Sequence, residues 1–114
     1  MQSMELSQQK CKPCESGVSS MSEEEVQQYL KELNQWTIKD NKIQKVFKFS
    51  DFKEAIQFVN TIADIAENEG NHPDIFIFYN KVEIILWTHA IKGLSLNDFI
   101  LAAKIDDVQN SLVD

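Results

Sequence analysis

Long apolar runs are missing from this sequence of 114 residues. No window approaches the roughly 20 apolar residues that a membrane-spanning helix needs. Residues 1–20, MQSMELSQQKCKPCESGVSS, also lack the apolar core of a secretory signal, so a cytoplasmic protein without membrane contact is expected. Basic charge is scarce as well: 11 Lys and Arg stand against 18 Asp and Glu, for a net charge of −7. That balance excludes the basic stripe a phosphate-tracking surface requires, and no nucleic-acid partner is expected. Cysteine and histidine are rarer still, with 2 of each. A redox pair of the thioredoxin kind should open a helix after a strand, and nothing apolar precedes Cys11-Lys-Pro-Cys14. As zinc ligands, Cys11 and Cys14 would need both His72 and His89 to complete a Cys2His2 set. That alternative stands beside a plain flexible arm whose two thiols stay reduced.

What is present fits one domain. Residues 1–20 carry few large apolar side chains and no periodicity, and read as a flexible N-terminal arm containing the CxxC. Residues 21–114 read as a single folded unit with one core. Ser22-Glu-Glu-Glu25 is a capping box, after which Val26, Leu30 and Leu33 recur at helical spacing. Residues 35–39 and 42–49 form a hairpin about Asp40-Asn41, with Lys45 interrupting the apolar parity of Ile43, Phe47 and Phe49. A second helix is capped by Ser50 or Asp51, carries Phe52, Ala55, Val59, Ile62 and Ala66 on one stripe, and ends at Gly70. Ser95-Leu-Asn-Asp98 is another capping box, with aspartate in the reaching-back position, and opens a third helix bearing Leu96, Phe99, Ile100 and Ala103. The order α-β-β-α-β-β-α predicts an α+β domain, a four-stranded antiparallel sheet with three helices packed on one face.

Both histidines lie in GNHPDIFIFYNKVEIILWTHA, residues 70–90, at either end of an apolar run. Asn80-Lys81 is the polar pair that can turn this run, and a two-residue loop there would place Tyr79 opposite Val82 and His72 opposite His89. Pro73 starts the strand and holds His72 extended just before it. Ile75, Ile77, Tyr79, Val82, Ile84 and Leu86 would then face the helices. Phe76, Phe78, Ile85 and Trp87 would share the other face with Asp74, Glu83 and His89. Two imidazoles at one pocket can move protons near neutral pH. The exposed aromatic face suits a ligand platform or a subunit interface, unless the N-terminal arm covers it.

These residues resemble the pterin-4a-carbinolamine dehydratases. The family pattern is a glutamate, three residues, His-His-Pro, an aromatic strand, Thr-His, and an aspartate opening the last helix. Here it reads Glu67, Asn71-His72-Pro73, Tyr79-Asn80-Lys81-Val82, Trp87-Thr88-His89 and Gly93-Leu94-Ser95-Leu96-Asn97-Asp98. The closing FILAAKID, Phe99 through Asp106, and the Cys11-Lys-Pro-Cys14-Glu15 leader are similar to the bacterial branch. The resemblance implies loss of water from a 4a-hydroxytetrahydropterin, giving the quinonoid dihydropterin of tetrahydrobiopterin recycling, with no metal and no cofactor. It implies His72, His89 and Asp98 as catalytic residues, and Asn71, Pro73, Glu67 and Thr88 as substrate-binding ones. It also implies a homodimer or homotetramer and a functional link to phenylalanine hydroxylase. In animals a member serves as dimerisation partner of a homeodomain transcription factor. The chain departs from the pattern where the family's first histidine falls at Asn71, since an amide hydrogen-bonds but does not titrate near neutral pH. The alternative reading is therefore a weakly active or inactive family member acting as a binding or oligomerisation module.

Overall fold

In a computed structural model, residues 6–9, 11 and 21–112 are described, with side chains through Gln109. Helix α1 (Glu23–Leu30) precedes strands β1 (Thr37–Lys39) and β2 (Lys42–Lys48). Helix α2 (Phe52–Glu69) follows, then β3 (Asp74–Phe78), β4 (Lys81–Leu86) and α3 (Leu96–Leu112). The four strands form one antiparallel sheet in the order β1-β2-β4-β3. This is the expected α+β arrangement. No helix among the described residues is long and apolar enough to cross a membrane.

The local signals act as their chemistry requires. Ser22 Oγ accepts from the Glu25 N–H while Glu25 reaches back to the Ser22 N–H, so α1 begins with both orphan donors satisfied. Asp51 rather than Ser50 caps α2, its carboxylate accepting from the Glu54 N–H at 2.9 Å. Gly70 ends that helix at φ 66°, a left-handed conformation that costs glycine no Cβ clash. Asp40 and Asn41 both take positive φ, the geometry of a tight two-residue hairpin loop.

The core lies between the sheet and the helices. Ile43, Phe47, Val82, Ile84 and Leu86 on the sheet meet Ala55, Phe58 and Ile62 of α2 and Phe99, Leu101, Ala102 and Ile105 of α3. The stripe expected on α2 is rotated: Phe58 is fully buried, whereas Phe52 is half-exposed and Val59 only partly covered. On α3, Leu101 and Ala102 are as buried as Phe99 and Ile100 because the helix is covered on several sides. Part of that cover is the leader, in which the 3-10 turn Leu6–Gln8 sits on α3 with Leu6 in the core.

The second hairpin differs from the expected register. Phe78 pairs with Lys81 and Ile75 with Ile84, so the loop is Tyr79-Asn80 and not Asn80-Lys81. Asn80 is held by β2: its side chain donates to the Phe49 carbonyl at 2.9 Å, and its own carbonyl accepts from the Phe49 N–H at 2.8 Å. Tyr79 consequently takes the positive φ of 54°. The shift is two residues, which preserves side-chain parity. Val82, Ile84 and Leu86 therefore still face the helices, but Ile77 on the edge strand and Tyr79 in the loop stay exposed, as do Phe76 and Phe78 on the opposite face.

Lys45, the charge in an apolar row, is 6% exposed. Its ammonium lies 2.8 Å from Asp106 Oδ1, and the same carboxylate accepts from Trp36 Nε1 at 3.0 Å. Burial raises the Asp106 pKa, while the Lys45 and Trp36 contacts oppose that rise. Removing one partner of a buried pair leaves the other charge uncompensated. Asp106→Ala should cost about 3–5 kcal/mol in urea unfolding. A loss under about 1 kcal/mol would show that water reaches Lys45 and that the pair is dispensable.

Candidate active site

Four chain segments converge on an open cleft of about 690 Å³. The end of α2 and its exit supply Glu67, Glu69, Asn71 and His72, and the stretch after β4 supplies Trp87, Thr88 and His89. Asn97 at the start of α3 and Cys11 of the leader complete the wall. The two-residue shift in register means His72 and His89 do not meet as a cross-strand pair. Extended back to residue 72, the observed ladder would put Trp87 opposite His72. His89 instead begins a 3-10 turn, His89–Ile91, that the chain enters immediately after Thr88. Both imidazoles still line the same cleft, but the turn and not the sheet brings His89 there.

Each histidine has a different neighbour. His72 Nε2 meets Glu67 Oε2 at the exposed rim, a contact available because Gly70 reverses the chain after α2. Pro73 follows His72 and leads into β3. His89 stacks on Trp87 with ring centroids 3.9 Å apart. Trp87 is itself bracketed, with Lys42 Nζ 4.5 Å from the ring centroid and the indole N–H directed at Asp74 Oδ2 at 3.4 Å. The indole thus serves as a fixed surface for the imidazole of His89.

Behind this surface lies Asp98, which is 0% exposed. Its Oδ2 accepts from the Thr88 hydroxyl at 2.8 Å and from the Ser95 N–H at 3.0 Å. The second contact is the reaching-back half of the capping box anticipated from Ser95-Leu-Asn-Asp98. Thr88 Oγ1 also lies 2.8 Å from Ser95 Oγ, so its hydroxyl is engaged behind the cleft as well as bordering it. Asp98 Oδ1 and Asn71 Nδ2 are both buried without a hydrogen-bond partner. Burial pushes the Asp98 carboxyl up to about 6, against the Ser95 and Thr88 hydrogen bonds, the Asn71 amide and the charge of His89. A buried acid this close to neutral pH, with an unused oxygen, differs from a simple helix cap.

Sequence reasoning missed Glu69 and Asn97 as contributors, and had Cys11 beside the histidines only as an alternative zinc ligand. Cys11 sits in a polar leader with no periodic signal, while Glu69 and Asn97 look like solvated helix-end residues until the chain is folded. Cys11 donates its N–H to Glu69 and directs its thiol at the Asn97 carbonyl. Cys14 lies outside the described residues. Among those described, no cluster of three or more metal-ligating side chains occurs.

With this geometry in place, the chain's relatives are informative. The model of the pterin 4 alpha carbinolamine dehydratase family matches residues 19–108. A relative from Alkaliphilus metalliredigens, provisionally named a pterin-4-alpha-carbinolamine dehydratase, is 43% identical over 107 residues, covering 92% of this chain and 96% of its own. One from Nitrosomonas europaea with the same provisional name is 46% identical over 103 residues, covering 90% and 91%. Among solved structures, a transcriptional coactivator/pterin dehydratase from Brucella melitensis superposes with TM-score 0.76 at 33% identity, covering 79% of this chain and 98% of its own. A pterin dehydratase-like RuBisCO assembly factor of the alpha-carboxysome shares the fold, with TM-score 0.55 at 22% identity over 67% of this chain and 88% of its own. The α+β fold is therefore that of a pterin-dehydratase type of domain. This chain is a member of the pterin-4a-carbinolamine dehydratase family.

The raised Asp98 pKa has a measurable consequence for stability. An acid with a folded pKa near 6 against an ordinary 3.8 holds a proton that the unfolded chain has already released. It therefore favours folding most at low pH, and that advantage fades as pH rises from about 4 through about 6. Relative to Asp98→Asn, wild type should lose about 2–3 kcal/mol of unfolding free energy between pH 4 and pH 7. A flat difference across that range would place the Asp98 pKa at its ordinary value.

Proposed function

We propose that the chain is a 4a-hydroxytetrahydropterin dehydratase, a hydro-lyase that removes water by acid–base catalysis in tetrahydrobiopterin recycling. The observation that carries this reading is the arrangement of His89 at the cleft, stacked on Trp87 and backed by the buried Asp98. The elimination needs two proton movements. The departing 4a-hydroxyl must be protonated so that it leaves as water, and a ring nitrogen must lose a proton as the new double bond forms. Histidine is suited to both movements near neutral pH.

In this reading His89 protonates the leaving hydroxyl, and Asp98 holds the segment that presents it through its bond to Thr88. Thr88 acts as a positioning residue, because its hydroxyl is committed to Asp98 and Ser95. His72, paired with Glu67 at the open rim, receives the ring-nitrogen proton and passes it to solvent. Asn71 contributes hydrogen bonds and no titratable group, which makes the enzyme a two-histidine variant of the family plan. Pro73 fixes the approach of His72 to the substrate.

The test is the dehydration of freshly generated 4a-hydroxytetrahydrobiopterin, followed by absorbance against the spontaneous rate. Wild type should accelerate it, and His89→Ala should lose ~10²–10⁴ of that acceleration, the usual contribution of a general acid. Asn71→His should hold or raise turnover. A wild type that adds nothing to the spontaneous rate would contradict the enzyme reading and favour a binding module built on the same fold.

A further inference from the structure

The leader lies outside the family match, which begins at residue 19, yet it reaches the cleft. Leu6 is buried in the core at 5% exposure. The Ser7 carbonyl accepts from Lys104 Nζ at 2.8 Å, and the Cys11 N–H donates to Glu69 Oε1 at 2.8 Å. Lys104 and Glu69 are themselves 3.8 Å apart, with side-chain exposures of 18% and 8%. One ion pair between α3 and the last turn of α2 thus grips the leader at two points. The cation holds a carbonyl and the anion an amide, each matched to the polarity of the backbone group it meets.

The result of that grip is the position of Cys11. Its thiol points at the Asn97 carbonyl, 3.5 Å away, and its surface lines the cleft that also holds His72 and His89. Burial, together with the neighbouring Glu69 carboxylate, pushes the thiol up to about 12. It stays neutral at physiological pH and is a packing surface, not a nucleophile. A polarizable sulfur is a good neighbour for a flat heteroaromatic ring.

Resting on the dehydratase reading above, we propose that the latched leader is one wall of the substrate cleft and that Cys11 is a substrate-contacting, specificity-determining residue. Lys104 is a positioning residue for it, acting through Glu69 and Ser7 from outside the cleft. Substrate affinity then depends on the leader while the proton-transfer step does not.

The test uses the full chain, with Lys104→Met to open the latch and Lys104→Arg to keep it. Two readouts are taken: alkylation of Cys11 by iodoacetamide, resolved from Cys14 by peptide mapping, and the separate values of KM and kcat. Lys104→Met should speed Cys11 alkylation about 10-fold as the segment opens locally. It should also raise KM by about 3–10-fold at unchanged kcat, the scale of a lost sulfur–ring contact and its ordering. Lys104→Arg should restore both values, and 7,8-dihydrobiopterin should protect Cys11 in wild type. Faster alkylation with unchanged KM, or no protection by the pterin, would overturn the proposal while leaving the dehydratase reading intact. Protection of Cys11 in a protein without turnover would uphold the wall and overturn the enzyme.

Discussion

The hydrogen bond from Thr88 to Asp98 is the constraint on which the site depends. It joins the exit of β4 to the first turn of α3, two segments that reach the cleft from different directions. The carboxylate it engages is fully buried and also holds the Ser95 N–H, so the start of α3 and the path of the chain through Thr88 are set by one group. His89 follows Thr88 directly. Its place against Trp87 is therefore inherited from a helix cap. A carboxylate in the first turn of a helix is favoured by the helix dipole as well as by the amide it accepts. Burial pushes the Asp98 carboxyl up to about 6, and the Ser95 N–H, the Thr88 hydroxyl, the Asn71 amide and the charge of His89 oppose that rise.

Helix α3 carries a second, partly buried carboxylate two turns on, and the contrast shows how environment separates structure from chemistry. Asp106 is met by a full positive charge from Lys45 and by the Trp36 indole N–H. That charge pair lies away from the histidine cleft, with Asp106 bordering a separate depression beside Leu6 and Leu33. The hydrogen-bond donors of Asp98 are all neutral: the Ser95 N–H, the Thr88 hydroxyl and the nearby Asn71 amide. A structural carboxylate is neutralised by a fixed cation, whereas this one leaves its charge to the nearest imidazole.

Much of the fold was legible in the sequence because its signals are local. Ser22 with Glu25, Asp51, Gly70 and the Asp40-Asn41 turn each act through contacts within about five residues, and each appears where the residue chemistry puts it. The second hairpin was misjudged because Asn80, the best turn former in its run, is engaged by Phe49 from a distant strand. Parity survived that error, since the shift was two residues. The direct pairing of the two histidines did not. Lys45 was visible as an anomaly in an apolar row, but its partner 61 positions away was not. The place of Cys11 in the cleft was illegible for the same reason: its contacts are with the ends of α2 and the start of α3, and no local pattern encodes them.

Saturating turnover of Thr88→Val bears most directly on the idea that a helix cap positions the acid. Valine keeps the shape of threonine and removes only the hydroxyl that bonds Asp98. A folded variant with kcat reduced about 10-fold or more is expected, because small misplacement of a catalytic group is costly. A kcat within about 2-fold of wild type would contradict it, and would mean that His89 is set by its stacking on Trp87 without help from Asp98.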